Sequence, residues 1–152
     1  MASEGPFTPE ETRRYARHLV LKGFGGAAQQ KLKTARVLVV GVGGLGSPAI
    51  AYLAAAGVGH LSIVDPDTVS LTNLQRQVIH TTASIGTGKA DSAGAFAGAL
   101  NPHVALGLHA EAITEANADA FVDDADIVLD GTDNLITRRL VAAACEQRER
   151  PL

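Results

Sequence analysis

The chain is poor in cysteine and in aromatics. Of its 152 residues one is Cys, none is Trp, two are Tyr and four are Phe. A single cysteine excludes an intrachain disulfide framework and any zinc site built from several thiolates. Scarce aromatics leave the core to aliphatic and small side chains, and the small ones bury little area each. No charge sign dominates: 13 Lys and Arg stand against 16 Asp and Glu, a formal net charge of −3. That balance argues against a strongly basic nucleic-acid binder. No apolar run is long enough to span a bilayer, and the opening MASEGPFTPE lacks the basic and apolar regions of a secretory leader. A cytoplasmic protein with no membrane and no nucleic-acid partner is therefore expected. The content of hydrophobic residues, 46%, is too high for a disordered tail, and the length suits one domain better than two.

The elements can be read in order. Residues 1–9 are polar and read as a flexible N-terminus. Thr8-Pro9-Glu10-Glu11 has the form of a helix start, with Thr8 as cap, Pro9 in the first turn and Glu11 completing a capping box. A basic amphipathic stretch with Arg13, Arg14 and Arg17 follows, and a short helix over about 27–34 closes an N-terminal helical segment at 10–35. Arg36–Val40 is a nearly continuous apolar run, the pattern of a strand buried on both faces. Helix over about 47–57 and a strand at 60–64 complete a βαβ unit. A polar, poorly periodic connection occupies 67–88. Helix resumes at 89–100, a weak strand spans 104–109, and 111–117 is irregular. A short helix or turn at 118–122, a strand at 127–129 and a helix over about 136–147 follow. Alternation of strand and helix predicts an α/β, Rossmann-like domain over 36–152, with a mostly parallel sheet and helices on both faces. Pro151-Leu152 reads as the entrance to a further strand.

Between the first strand and its helix lies Gly41-Val42-Gly43-Gly44-Leu45-Gly46, which satisfies GxGxxG in the required context. Asp65 ends the second strand, about 20 residues beyond the loop, where an acid reaches ribose hydroxyls. Gly41 suits the tight turn, Gly43 lets phosphate approach backbone N–H groups, and Gly46 permits close packing of helix on strand. The motif alone does not separate NAD, FAD and ATP, and a nicotinamide-dependent oxidoreductase remains an alternative at this point.

Polar residues outside the loop add to this. Asn73, Arg76 and Lys89 lie downstream of Asp65, and Asp130 and Asp133 follow the last strand, so all belong to the edge where ligands bind in a doubly wound sheet. Cations and a pair of acids beside a glycine loop suit a triphosphate with a divalent metal. The five histidines show no metal-ligand spacing. Cys145 lies on the apolar side of the last helix and reads as a structural thiol.

Taken together, RYARH at 14–18, GVGGLGSP at 41–48, LAAAGVG at 53–59, DPDTV at 65–69, LTNLQRQ at 71–77, Gly88-Lys89, Asn101-Pro102 and DGTDN at 130–134 carry a close resemblance over about residues 10–152. The sequence resembles the MoeB/ThiF adenylyltransferase family, to which ubiquitin-activating enzymes are related, and is nearest its molybdopterin-synthase-activating branch. The resemblance implies ATP at Gly41, Gly43, Gly44, Leu45 and Gly46, with Asp65 on the ribose and Asp67 beside it. It implies Asn73, Arg76 and Lys89 around the phosphates, Asp133 tied to magnesium, and Arg17 as a finger reaching the site of a second subunit in a homodimer. The implied substrate is the C-terminal glycine carboxylate of a ubiquitin-like sulfur-carrier protein, activated as an acyl-adenylate with release of pyrophosphate. Family members are longer. They carry further strands and often a zinc site beyond the point matching Leu152, so a truncated, non-catalytic nucleotide-binding or dimerisation module is the alternative. No zinc and no catalytic role for Cys145 are expected.

Overall fold

The computed structural model describes residues 6–152. Part of the N-terminus expected to be flexible, residues 1–5, lies outside the described residues. The elements run α1 (Pro9–Arg14), α2 (Ala16–Leu19), α3 (Gly25–Thr34), β1 (Arg36–Val40), α4 (Gly46–Ala56), β2 (His60–Val64), α5 (Lys89–Leu100), β3 (Ala105–His109), α6 (Ala118–Asp123), β4 (Ile127–Asp130) and α7 (Leu135–Gln147).

Local chemistry explains the start. The Thr8 side chain accepts from the Glu11 N–H at 3.1 Å, and the Glu11 carboxylate accepts from the Thr8 N–H at 2.8 Å, so two orphan donors of the first turn are satisfied together. The basic stretch does not form one continuous helix. It breaks at Tyr15, which is 4% exposed and caps α1 instead of continuing it. Burial of this aromatic ring against the body of the protein overrides a helical periodicity that would have run on.

Four strands pair in parallel in the order β3-β2-β1-β4. β1 is central, and its side chains divide by the period of two. Val37 and Val39 enter a core with Ile50 and Ala54 of α4 and Ala90, Ala93 and Ala97 of α5. Leu38 and Val40 enter the opposite core with Val122 of α6 and Val141 and Ala144 of α7. Helices therefore cover both faces, and the apolar run of β1 is explained by burial on both sides. Full burial of one such aliphatic chain contributes about 1.5–3 kcal/mol, so the small-residue helices α4 and α5 contribute mainly by close approach. On the outer edge of β4, the Val128 N–H donates to the Pro151 carbonyl at 2.9 Å.

Strand order reverses at β1: β2 and β3 lie to one side and β4 to the other. In open parallel sheets a crevice forms at such a switch point, outside the carboxyl ends of the strands. Here β1 ends at Val40, β2 at Val64, β3 at His109 and β4 at Asp130, and the loops that follow them surround one cleft. Among the described residues no helix is long and apolar enough to cross a membrane.

Candidate functional site

The cleft has a volume of about 610 Å³, within the range of small-molecule and cofactor sites. Its floor is the glycine loop. Gly41 has φ +89°, a left-handed conformation, and lies against Gly131 and Thr132 after β4. A Cβ on Gly46 would sit 1.9 Å from the Gly41 carbonyl oxygen, so only glycine lets α4 begin this close to β1. Gly43, Gly44 and Leu45 line the cleft. Leu45 is 66% exposed and gives the cleft an apolar edge.

Asp65 is buried at the end of β2. Its Oδ2 accepts from the Val42 N–H at 2.7 Å and its Oδ1 from the Asp67 N–H at 2.8 Å. The carboxylate thus braces the glycine loop from behind. Each oxygen keeps a lone pair for a further donor, so a ribose contact is compatible with this bracing role. Asp67 holds Lys89: Oδ2 and Nζ are 2.8 Å apart, and the Lys89 N–H also bonds the Asp67 carbonyl at 2.8 Å. Lys89 is 7% exposed, a buried ammonium whose one carboxylate partner stands on the cleft wall.

The polar connection after β2 is folded more tightly than its sequence suggests. It contains 3-10 turns at Leu71–Asn73 and Thr82–Ser84, closed by an antiparallel bridge between Thr68 and Gly88. Asn73 uses its Oδ1 to accept from the Ser70 N–H at 3.1 Å, leaving its amide donors for other partners. The Arg76 stem lies over Gly44, and its guanidinium donates to the Thr72 carbonyl at 3.3 Å. Asn73, Arg76 and Lys89 all line the cleft, as do Asp65, Asp67 and Asp133. Arg17 does not line the cleft of its own chain; it is exposed on α2.

Asp133 is exposed on the wall after β4. Its neighbour Asp130 is committed: Oδ1 accepts from the Thr132 N–H at 2.9 Å and hydroxyl at 2.6 Å, and Oδ2 lies 4.0 Å from Arg138. Among the described residues no group of three or more His, Cys, Asp or Glu could hold a metal ion. Magnesium does not need such a cage, because it is commonly held by one or two carboxylates together with substrate phosphates and water. Asp133 fits that donor set.

Several cleft residues escape the sequence reading. Arg138, one turn into α7, donates from Nε to the Thr132 carbonyl at 2.9 Å and lines the wall with Thr137. Only its position one helical turn after the Asn134 cap could have marked it. Gln77 lies on the wall, 2% exposed, with its Oε1 unpartnered. Glu111, Ala112 and Ile113 close the side beyond β3, where the strand-end rule rather than any motif points.

A doubly wound parallel sheet, a glycine loop at its switch point, and cations with acids around one cleft define a nucleotide-binding α/β domain. Residues 15–152 match the model of the ThiF family, and the chain belongs to that family. It is 49% identical over 142 residues to the probable adenylyltransferase/sulfurtransferase MoeZ of Mycobacterium tuberculosis, covering 93% of this chain and 36% of that one. The structure superimposes with a TM-score of 0.90 on the E. coli tRNA N6-threonylcarbamoyladenosine dehydratase TcdA solved in complex with ATP, at 27% identity over 95% of this chain and 59% of that one. It also resembles E. coli MccB solved with MccA-N7isoASN, with a TM-score of 0.80 and 27% identity over 90% of this chain and 42% of that one. The chain spans about a third of the length of the curated relatives it matches.

Proposed function

We propose that the cleft binds ATP and that the domain belongs to an adenylyltransferase that activates the C-terminal glycine carboxylate of a ubiquitin-like sulfur-carrier protein. The observation that carries this reading is the convergence of the glycine loop with Asn73, Arg76, Lys89 and Asp133 on one cleft at the switch point. The likeness to adenylyltransferases, and to a fold neighbour solved with ATP, supports ATP over a nicotinamide or flavin nucleotide.

In this reading the triphosphate lies over the loop N–H groups and the start of α4, where the helix dipole favours negative charge. The ribose is received at Asp65. Arg76, Lys89 and the Asn73 amide neutralise charge that builds on the phosphates. Lys89 is the pivot, because a phosphate oxygen competes with the Asp67 carboxylate for its ammonium. A bound magnesium ion would neutralise phosphate charge and would be held on the protein side by Asp133. The carrier carboxylate attacks the α-phosphorus and the bond to the β-phosphate oxygen breaks. Pyrophosphate leaves and an acyl-adenylate remains. The nucleophile arrives ionised, so the enzyme supplies no base; positioning and electrostatic stabilisation carry the step. Exposure of Arg17 away from its own cleft supports its reading as a finger into the cleft of a second copy, and hence a homodimer.

The test is carrier-dependent exchange of labelled pyrophosphate into ATP by this chain. Exchange above the carrier-free background supports the reading. ATP binding without exchange favours the second reading, a non-catalytic nucleotide-binding or dimerisation module. Binding of NADH without ATP overturns the adenylyltransferase reading.

A further inference from the structure

His80 lies behind the glycine loop and has no part in the chemistry above. It is 6% exposed, and its Nδ1 is 2.8 Å from the Ser92 hydroxyl on α5. Its Nε2 is buried without a hydrogen bond of normal geometry. The Val42 backbone, in the second position of the loop, stands beside the ring. Charged neighbours are Lys89 from α5 and Asp65 from the end of β2. Orphaned polar atoms this deep are uncommon and call for a physical reason.

The Val42 peptide groups are held from inside on every side that the structure shows. The Val42 N–H donates to Asp65. The Val42 carbonyl accepts from the Ser47 hydroxyl at 3.3 Å, a long bond that leaves the second lone pair open. The Gly43 carbonyl accepts from the Ser47 N–H at 3.0 Å. Among the described residues the Gly43 N–H donates to no backbone carbonyl. In a planar trans peptide the carbonyl of one residue and the N–H of the next point in opposite directions. Whatever holds the Val42 carbonyl inward therefore turns the Gly43 N–H outward, towards the cleft.

We propose that His80 is a positioning residue of the glycine loop: with Nδ1 engaged by Ser92, its Nε2 hydrogen secures the Val42 carbonyl and aims the Gly43 N–H at a phosphate oxygen of the bound nucleotide. The ligand part of this proposal rests on the ATP reading above; the orientation of the Gly43 amide does not. In this arrangement the Val42 carbonyl, which can only accept, places the hydrogen on Nε2, and the rotatable Ser92 hydroxyl donates to the unprotonated Nδ1. Burial holds the ring below its ordinary imidazole pKa, the Val42 backbone opposes that, Lys89 adds to it and Asp65 opposes it. The ring is thus neutral at pH 7. Protonation puts hydrogens on both nitrogens, so the Ser92 hydroxyl turns from donor to acceptor and the new charge on the ring acts on the Val42–Gly43 peptide beside it.

The experiment uses 15N NMR on the intact chain, with His80→Gln and His80→Leu as variants. Gln places an amide nitrogen near the position of Nε2, whereas Leu keeps bulk without a donor. In the ligand-free wild type, the Gly43 amide is expected to shift with pH at the midpoint of the His80 imidazole, and this coupling should vanish in His80→Gln. On addition of ATP the Gly43 amide should move downfield. Folded His80→Leu should bind ATP on the order of tenfold more weakly, the scale of one lost neutral hydrogen bond, with a reduced Gly43 response. His80→Gln should restore most of both. A Gly43 shift that ignores the His80 titration overturns the proposal. So does an affinity loss in His80→Leu with an unchanged Gly43 response, or an equal loss in His80→Gln. If the wild type shows the coupling but binds no ATP, positioning stands and the nucleotide reading falls.

Discussion

Asn101 donates a side-chain N–H to the Tyr15 hydroxyl at 2.8 Å, joining the end of α5 to the break between α1 and α2. The same amide also donates to the Ala54 carbonyl of α4 at 2.7 Å. One fully buried Asn thus ties three elements together, and the Tyr15 ring rests on the C-cap of α4 at Gly57. Because Arg17 is two residues beyond Tyr15, this junction also fixes where the exposed guanidinium begins its reach.

Removing the hydroxyl tests that junction. Tyr15→Phe should keep the ring packing but lose one hydrogen bond, a cost of about 1 kcal/mol. For a chain of this size the thermal midpoint should fall by about 2–4 °C. Circular dichroism melts of wild type and variant measure it. No change in midpoint means that the Asn101 amide is satisfied elsewhere and the junction is not held by this bond.

Much of the fold could be read from the sequence because the local patterns agree with the tertiary burial. The run Arg36–Val40 announces a strand buried on both faces, and its alternate residues do enter two cores. GxGxxG stands between a strand and a helix, and its third glycine is required by a contact with the first. Other features depend on contacts distant in sequence. Nothing near Tyr15 announces that its ring is buried and ends α1. The engagement of the Asp65 carboxylate by the Val42 and Asp67 N–H groups needs coordinates. Arg138 carries no motif and reaches the cleft only because β4 and α7 fold around Thr132.

That engagement of Asp65 leads to a distinct expectation for Asp65→Asn. An amide offers one carbonyl oxygen where the carboxylate offers two, so one backbone N–H would face an amide N–H. The buried clash should cost about 1–3 kcal/mol of stability, read by urea denaturation, and should weaken ATP binding at least about tenfold. A variant as stable as wild type that still binds ATP normally would show that the carboxylate neither braces the loop nor meets the ribose.

Glu11 gives the N-terminal helix a dependence on pH. Burial raises its pKa, but hydrogen bonding and charge attraction from Lys33, with the Thr8 bonds, outweigh burial and leave it below the ordinary carboxylate value of 4.5. A carboxylate with a depressed folded pKa contributes stability above its unfolded pKa and loses it as pH falls through the folded value. Wild-type stability should therefore decline below pH 4.5 more steeply than that of Glu11→Gln, which carries no such proton. Parallel denaturation curves for the two proteins across the acid range would refute the assignment.

Cys145 should be chemically quiet. It is buried at 3% exposure, and burial, aided by the Asp130 charge, raises its thiol pKa. Nucleophilicity resides in the thiolate, so a thiol reagent should modify native protein slowly at neutral pH and denatured protein quickly. If the chain supports pyrophosphate exchange, Cys145→Ala should leave its rate unchanged. Rapid labelling of the native protein, or a large loss of exchange in a folded Cys145→Ala, counts against a purely structural thiol.

The proposed exchange of arginine fingers between subunits can be tested by mixing two defective chains. Arg17→Ala and Asp133→Ala should each lower exchange while leaving the fold intact, since both side chains are exposed. In a mixed dimer, the cleft of the Arg17→Ala subunit keeps its Asp133 and receives Arg17 from the other chain. Its companion cleft lacks both. Random reassociation makes about half of the dimers mixed, each with one complete cleft, so activity should recover to roughly a quarter of wild type. If Arg17 served its own cleft, every cleft in the mixture would lack one of the two residues and mixing would restore nothing. Recovery after mixing therefore separates a finger in trans from a residue that acts within its own subunit.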